Sequence, residues 1–210
     1  MVLYRKYRPD KLSLVRGQDH ITKTLSNALV ADKLSHAYIF TGPKGTGKTT
    51  IARILAKGAN CLKLDEGDPC NICKNCKEIN DSSSLDIIEI DGASNRGIEE
   101  IRDLREGIKF SPNTLKFKVF IIDEVHMLTT PAFNALLKTL EEPPVHALFV
   151  LATTEPHKVL STIMSRCQRF DFKKLGFSEI VKLLGEVSKK EGIKIDPGVL
   201  KLLAVVSEGD

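Results

Sequence analysis

The chain has 210 residues, of which 42% are hydrophobic and 28% charged, with a net charge of +4 and a pI of about 8.7. This composition is typical of a globular protein with one sizeable core, and so mild a positive charge permits nucleic-acid contact without indicating it. No apolar run follows the basic N-terminal residues, and no stretch approaches the roughly 18 apolar residues of a membrane span. We therefore expect a cytoplasmic protein without a secretory signal or a membrane segment.

Short apolar runs alternate with helical patterns along the first 172 residues. The runs are rich in Ile, Val and Phe, which is typical of strands buried on both faces of a parallel sheet. They predict strands at 36–42, 86–91, 118–123 and 147–153, with a short, strand-like FDF at 170–172. Apolar residues recur at helical spacing between these runs. The alternation predicts a three-layer α/β fold around a parallel five-stranded sheet, with ligands at the carboxyl ends of its strands.

Two helical patterns, at 177–192 and 196–206, replace the strands in the last part of the chain. Gly192 and Pro197 separate the two patterns. Because two helices alone make a poor core, we expect residues 173–210 to be the incomplete start of a small helical domain. The core itself is expected to span residues 1–172.

A phosphate-binding loop follows the first predicted strand, in TGPKGTGKTT at 41–50. Gly42, Gly47, Lys48 and Thr49 satisfy the pattern G-x-x-x-x-G-K-[ST] between a strand and an amphipathic helix, so a chance glycine-rich turn is the weaker interpretation. Glycines let consecutive N–H groups point at phosphate oxygens, and the helix adds its positive N-terminal end. Lys48 is expected to bridge the β- and γ-phosphates, and the Thr49 hydroxyl to hold Mg²⁺. The predicted nucleotide-binding residues of the loop are Gly42, Pro43, Lys44, Gly45, Thr46, Gly47, Lys48, Thr49 and Thr50.

A second group of polar residues ends the strand in KVFIIDEVH, residues 118–126. Asp123 at the strand tip is expected to hold Mg²⁺ with Thr49, and Glu124 to activate the attacking water. A solvated Asp-Glu pair is the alternative, and the phosphate loop in the same sheet disfavours it. The threonines of LATTEP, at 151–156, end the next strand, where a hydroxyl can hydrogen-bond the nucleophilic water. The sequence therefore predicts nucleoside triphosphate binding, and Glu124 indicates hydrolysis.

Four cysteines lie close together in an insertion at about 61–80, with the spacing Cys61-x8-Cys70-x2-Cys73-x2-Cys76. Four thiolates at such spacings can close a tetrahedron around a structural Zn²⁺, whose binding can supply the folding energy of a polar segment. An iron–sulfur cluster and redox disulfides are the alternatives; ferredoxin motifs place a fourth Cys followed by Pro, which is absent here. The remaining cysteine, Cys167, is expected to be buried and non-ligating.

Together these features resemble the gamma/tau subunits of bacterial DNA polymerase III, the motor ATPases of the sliding-clamp loader in the AAA+ superfamily. The resemblance runs nearly end to end. The segments that carry it are GPKGTGKT, the four-cysteine insertion, DIIEIDGASNRGIEEIR (86–102), VFIIDEVHMLTTPAFNALLKTLEEPP (119–144), LATTEP and SRC.

The resemblance implies an ATP-hydrolysing subunit of a ring-like hetero-oligomer that opens a sliding clamp and places it on primed DNA. Its partners would be other clamp-loader subunits, the clamp and DNA bound without regard to sequence; its cofactors would be Mg²⁺ and structural Zn²⁺, with ATP as the nucleotide. Family members continue past the position of Asp210 into a further lid helix and a collar domain. We therefore expect a fragment in which residues 173–210 begin the lid, with weak or no ATPase activity alone.

The resemblance also implies roles for single residues. Arg166 of the SRC motif is expected to reach a neighbour's ATP as an arginine finger in trans; helix capping or a surface ion pair is the alternative. Thr154 matches the family's first sensor, with Thr153 as a competitor. Arg96 is expected either to contact DNA phosphates or to lie in a solvated helix start. The residues expected to pack around the adenine are Tyr7, Arg8, Pro9 and Gly17.

Two other functions remain open from the sequence. Another AAA+ DNA-remodelling motor, such as a branch-migration helicase, would share the ATPase core, but those motors lack the four-cysteine insertion. A non-hydrolysing stator subunit could lend Arg166 to a partner. Such stators typically lose the phosphate-loop lysine, whereas this chain has Lys48.

Overall fold

The structure is a computed structural model that describes residues 2–95, 97–207 and 209. The strands are β1 Ala37–Thr41, β2 Ile87–Asp91, β3 Lys118–Asp123, β4 Ala147–Thr153 and β5 Gln168–Asp171. The helices are α1 Leu3–Lys6, α2 Asp19–Val30, α3 Lys48–Ala59, α4 Lys74–Asn80, α5 Ile98–Ile108, α6 Thr130–Glu141, α7 Ser161–Met164, α8 Phe177–Lys190 and α9 Pro197–Val206. Single turns of 3₁₀-helix lie at Leu12–Leu14, Val125–Met127 and Pro156–Lys158.

All five described strands pair in parallel, in the order β2-β3-β4-β1-β5. The predicted α/β fold with a parallel five-stranded sheet is thus confirmed. The fifth strand begins earlier than the FDF motif suggested, because Gln168 and Arg169 already pair with Tyr38 and Ile39 of β1.

Alternate residues of the strands face two separate hydrophobic cores. On β1, Tyr38 and Phe40 point to the layer that contains α2 and α3, whereas Ala37 and Ile39 point to the layer that contains α5 and α6. All of β1 is buried, as its continuous apolar sequence requires for a sheet covered on both faces. The strand order places the carboxyl ends of β1, β3 and β4 side by side, which is where the polar motifs lie.

Helices α8 and α9 pack against each other beside the sheet. The buried side chain of Gln18 connects them to the core, since its amide donates to Lys173 O at 2.6 Å and accepts from Lys173 N at 3.2 Å. Within the described ranges, no helix is both long enough and apolar enough to cross a bilayer.

Candidate nucleotide-binding and metal sites

The phosphate loop owes its path to glycines in positions that other residues could not occupy. Gly42 has φ +142, and a Cβ there would lie 2.5 Å from the carbonyl oxygen of Phe172. Gly47 has φ +95 directly before the first residue of α3, and a Cβ there would meet nothing within 4 Å. The backbone before α3 is therefore open to an approaching phosphate, at the positive end of a helix of 12 residues.

Lys48, the first residue of α3, extends back into this loop. Its side chain is largely buried, and its Nζ donates to Gly42 O at 2.8 Å and to Pro43 O at 2.7 Å. Thr46 Oγ1 also donates to Pro43 O, at 2.9 Å, which fixes the turn. The ammonium group thus lies inside the curl of the backbone, where it can bind phosphate oxygens.

Thr49 and Asp123 meet between the start of α3 and the tip of β3. Thr49 Oγ1 donates to Asp123 Oδ2 at 2.6 Å, and the other carboxylate oxygen accepts from Glu124 N at 2.9 Å. A hydroxyl and a carboxylate are oxygen ligands of the kind that Mg²⁺ prefers, so the donor set fits the predicted magnesium site.

Glu124 is held by residues at the end of β4. Its backbone is left-handed, with φ 46 and ψ 46, which turns the side chain out of the strand direction. Its Oε2 accepts from Thr154 N at 3.2 Å and from Thr154 Oγ1 at 2.9 Å. The hydroxyl of Thr153 is fully buried and lies 3.0 Å from His126 Nδ1 instead. Of the two candidate threonines, Thr154 is therefore the one in contact with Glu124.

His126 is a site residue for which no role was predicted, although it stands in the DEVH motif. Its side chain is 5% exposed and lies between two carboxylates, with Nδ1 3.2 Å from Glu124 Oε2 and Nε2 3.3 Å from Glu155 Oε1. Glu155 in turn pairs with Lys158 at 2.7 Å. A proton on Nδ1 lets His126 donate to Glu124, whereas a proton on Nε2 lets it donate to Glu155.

A cavity of about 1080 Å³ extends from the phosphate loop to the N-terminal segment and α8. It is large enough for a nucleotide, and its walls combine apolar and charged side chains. Of the four residues predicted to pack around the adenine, Tyr7, Arg8 and Pro9 line this cavity. Gly17 is not among its lining residues; with φ +68 it allows the close approach of Leu175. The other lining residues are Tyr4, Asp10, Leu14, Val15, Arg16, residues 44–50, Asp123, Glu124, Leu175, Leu183, Glu186, Val187 and Lys190.

The N-terminal segment and α8 are joined by polar contacts across this cavity. Tyr7 Oη donates to Glu191 Oε1 at 2.6 Å, and Lys6 pairs with the same carboxylate at 2.7 Å. Arg16 pairs with Glu186 at 2.5 Å. These contacts join the N-terminal segment to α8 and to Glu191, the residue after it.

The four clustered cysteines converge at one point, as their spacing predicts. Their Sγ atoms all lie within 4.8 Å of one another, and Cys70 Sγ is 4.0 Å from Cys76 Sγ. Tetrahedral zinc with Zn–S bonds of about 2.3 Å would require sulfur atoms roughly 3.8 Å apart, so these residues fit a Cys₄ metal site.

Backbone N–H groups donate to the sulfurs of Cys61, Cys70 and Cys73, and at Cys70 they favour the thiolate form. Cys70 N donates to Cys61 Sγ at 3.3 Å, and Cys73 N donates to Cys70 Sγ at 3.4 Å. The N–H groups of Ile72 and Cys73 lower the pKa of Cys70 to about 6. Burial raises the pKa of Cys61 and of Cys76, so a metal would displace the protons of these two thiols on binding.

Arg166 contacts its own chain. Its Nη2 lies 2.7 Å from Glu141 Oε1, and its Nη1 donates to Thr162 O at 2.7 Å, capping the short helix α7. The ion pair and the helix cap considered from the sequence are thus both present. The Arg166 side chain is about one-third exposed.

Two other predicted positions lie away from these sites. Arg96 falls outside the described residues. Cys167, which was predicted to be buried, is only partly buried: it packs against the core that contains α5 and α6, and burial raises the pKa of its thiol to about 12.

Comparison with known proteins identifies the family. Residues 17–176 match the family described as DNA polymerase III, delta subunit. Curated relatives include DNA polymerase III subunit tau of Bacillus subtilis, 54% identical over 99% of this chain and 37% of the relative, and that of Escherichia coli, 48% identical over 99% and 32%. The chain thus spans about a third of the length of these relatives.

Solved structures share the fold. A DNA polymerase III gamma subunit-related protein of Thermotoga maritima is 25% identical with a TM-score of 0.58, over 80% of this chain and 51% of that one. The RuvB Holliday junction branch migration motor of the same organism is 19% identical with a TM-score of 0.67, over 94% and 59%. At such identity RuvB shows a shared fold alone. From the family match and the tau relatives together, the chain belongs to the family described as DNA polymerase III, delta subunit.

Proposed function

We propose that this chain is the ATP-binding and hydrolysing part of a motor subunit of the DNA polymerase III clamp loader. The subunit would open the sliding clamp and load it onto primed DNA in the cytoplasm, within a ring-like hetero-oligomer. Residues 1–172 are the ATPase core, with the metal-binding insertion at about 61–80, and residues 173–210 belong to the lid. The tau relatives and the family match support this assignment.

One observation carries the proposal: the phosphate loop, Asp123, Glu124 and Thr154 converge at the carboxyl ends of β1, β3 and β4. Lys48 would bind the β- and γ-phosphates, while Thr49 and Asp123 would hold Mg²⁺. Mg²⁺ bound there supplies charge neutralisation for the phosphates. Glu124 would accept a proton from the attacking water, oriented by the hydroxyl of Thr154.

Arg166 serves the ATP of a neighbouring subunit in this proposal. Its contacts to Glu141 and Thr162 lie on its own chain, and neither partner belongs to the phosphate loop. A planar guanidinium with several donors suits the oxygens of a transferred phosphoryl group. Turnover by separate chains should therefore be very low, and it should rise with assembly.

The four-cysteine site holds a structural Zn²⁺ in this proposal. Four protein thiolates complete a tetrahedron, so no coordination position is left for water or substrate, which argues against a catalytic metal. The insertion has little apolar surface of its own to bury, and Leu62 and Ile72 within it are 71% and 75% exposed. Metal binding is therefore the main energy available to fold it.

Calorimetric titration with Mg²⁺-ATP tests the core of the proposal. The wild-type chain should bind, and Lys48→Ala should lose at least 100-fold in affinity, because a buried cation facing the phosphates is removed. Lys116→Ala is the matched control: this lysine pairs on the surface with Asp32 at 2.7 Å and takes no part in the site.

Equal binding by the wild type and Lys48→Ala would contradict the assigned phosphate site.

A second measurement tests the proposed role of Arg166 in trans. Mixing Lys48→Ala chains with Arg166→Ala chains in a reconstituted loader should restore part of the ATPase activity that each variant alone lacks, because each then supplies what the other has lost.

A further inference from the structure

The four-cysteine insertion contacts the N-terminal segment that lines the nucleotide cavity. Residues 65–71 of the insertion reach residues 10–13, which stand between Pro9 and Leu14 in the cavity wall. The insertion thus lies against the back of this wall.

Asp68 makes the central contact. Its Oδ1 accepts from Leu12 N at 2.6 Å and from Ser13 N at 3.2 Å, and its Oδ2 accepts from Ser13 Oγ at 2.5 Å. Leu12 and Ser13 open the 3₁₀ turn Leu12–Leu14, and its N-cap residue, Lys11, provides no side-chain cap. Asp68 therefore supplies from the insertion the cap that the turn lacks locally, and its side chain is almost fully buried there.

Two further contacts flank Asp68. Asn71, between two of the cysteines, donates from Nδ2 to Asp10 Oδ2 at 3.0 Å, and Asp10 lines the cavity. Asp65 pairs with Lys11 at 3.2 Å on the surface. Consecutive residues of the N-terminal segment are thus each held by the insertion.

The positions of Asp68 and Asn71 depend on the cysteine site. Asp68 stands two residues before Cys70, whose N–H donates to Cys61 Sγ at 3.3 Å. Asn71 adopts φ 59, a left-handed conformation imposed by the loop between Cys70 and Cys73. The turn at Asp65 and Asp68 is closed by two backbone bonds, of 2.9 and 2.8 Å, and Ser26 Oγ of α2 donates to Glu66 O at 3.1 Å. Without metal, the loop would keep these contacts but lose the bonds that join its four cysteines at one centre.

We propose that the insertion is a positioning device for the nucleotide site, in which the metal fixes Asp68 and Asp68 fixes residues 10–13 behind the cavity wall. Metal binding and nucleotide binding are therefore positively coupled, and Asp68 is a positioning residue that acts through Leu12 and Ser13. This inference rests on the proposed function, because the cavity must take a nucleotide for the coupling to exist.

A thermodynamic cycle tests the coupling. Mg²⁺-ATP is titrated by calorimetry into the wild-type chain and into Asp68→Ala, each with one Zn²⁺ bound and after zinc removal. The zinc chelator is removed, and the thiols are kept reduced, before Mg²⁺ is added. Zinc content is measured for every sample, since Asp68→Ala keeps all four cysteines and should keep its metal.

We expect zinc removal to weaken nucleotide binding by the wild type about tenfold, within the usual range of coupling between sites. Asp68→Ala with zinc bound should show a similar loss, and removing its zinc should change affinity less than about twofold. Glu66→Gln, a change at an exposed side chain of the same turn, should bind as the wild type does.

A measurement without variants gives the reciprocal result. Saturating Mg²⁺-ATP should slow transfer of zinc from the wild type to a colorimetric chelator, and the equilibrium zinc affinity should rise by the same factor of about ten. This result does not depend on the folding of Asp68→Ala.

The possible outcomes distinguish a failure of the metal–nucleotide coupling from a failure of the proposed nucleotide-binding function. Wild-type binding that survives both zinc removal and Asp68→Ala, while Lys48→Ala binds poorly, overturns the coupling alone. An equal effect of zinc removal in the wild type and in Asp68→Ala also overturns it, because the coupling would then bypass Asp68. Zinc-loaded wild type that binds no better than Lys48→Ala overturns both proposals.

Discussion

Glu141 at the end of α6 holds Arg166 through an ion pair of 2.7 Å, so the proposed trans-acting arginine is bound within its own chain. The two side chains are 48% and 34% exposed, and pairs this open to water contribute only about 0–1 kcal/mol. A neighbour's phosphate, with its greater negative charge, can therefore take Arg166 from Glu141 at little cost.

Releasing Arg166 should favour catalysis in trans. In a reconstituted loader at subsaturating subunit concentration, we expect Glu141→Gln to raise the ATPase rate about two- to fivefold. This factor corresponds to the free energy of the exposed ion pair that the substitution removes. Arg166→Ala should lower the rate by about 10³ or more, and the double variant should match Arg166→Ala. Glu142→Gln, the adjacent exposed glutamate, is the control. An unchanged or lower rate in Glu141→Gln would show that the pair does not restrain Arg166.

The two threonines at the end of β4 should differ in effect. Thr154→Val removes the 2.9 Å bond to Glu124, so kcat should fall about 10- to 100-fold with little change in nucleotide affinity. Thr153→Val leaves that bond intact and removes a buried contact with His126, so it should lower the free energy of unfolding by about 1–2 kcal/mol. Steady-state kinetics and denaturant unfolding distinguish the two, and the reverse pattern would reassign the sensor to Thr153.

Much of the fold and the centre of the site follow from local sequence patterns. The sheet, the phosphate loop and Asp123 were predictable because each depends on a short segment: apolar runs give strands, and glycines before a helix give the loop. Parallel pairing then brings the strand ends together without further information.

Contacts between distant segments were not predictable in the same way. Asp68 caps Leu12 across 56 positions, and Arg166 meets Glu141 across 25. Neither Asp68 nor Glu141 stands in a sequence motif that predicts its contact, because an aspartate in a turn and a glutamate at a helix end are ordinarily solvated. His126 was visible in its motif, but its place between Glu124 and Glu155 depends on how β3 and β4 end in space.

Asp86 provides a test of a buried carboxylate. It is 0% exposed and accepts from the backbone N–H groups of Asn113, Thr114 and Leu115 at 2.8, 2.9 and 3.1 Å. Burial alone would raise its pKa, but these three bonds and the charge of Lys118 together lower it. Asp86→Ala leaves the N–H groups without this acceptor and should lower the free energy of unfolding at pH 7 by about 2–3 kcal/mol.

The effect of Asp86 should depend on pH in one direction. A lowered pKa in the folded protein means that its stabilisation is complete above the unfolded value, about 3.9, and is lost as pH falls through the folded value. The stability difference between the wild type and Asp86→Asn, from denaturant unfolding, should be constant from pH 7 to about 5 and shrink in more acidic solution. A difference that grows on acidification would contradict the lowered pKa.

An alkylating reagent at pH 8 should distinguish the four metal-binding cysteines, which react once the metal is removed, from Cys167, which reacts only after unfolding. With zinc bound, we expect all five thiols of the native chain to resist iodoacetamide, because four are metal ligands and burial raises the pKa of Cys167 to about 12. At that pKa only about one Cys167 in 10⁴ is a thiolate at pH 8, and the thiolate is the reactive form. Removing the metal should expose Cys61, Cys70, Cys73 and Cys76 alone, and unfolding in guanidinium should add the fifth. Mass spectrometry counts the adducts. Labelling of Cys167 together with the other four would show that the core does not protect its thiol. Fewer than four cysteines labelled after metal removal would reject the Cys₄ ligand set.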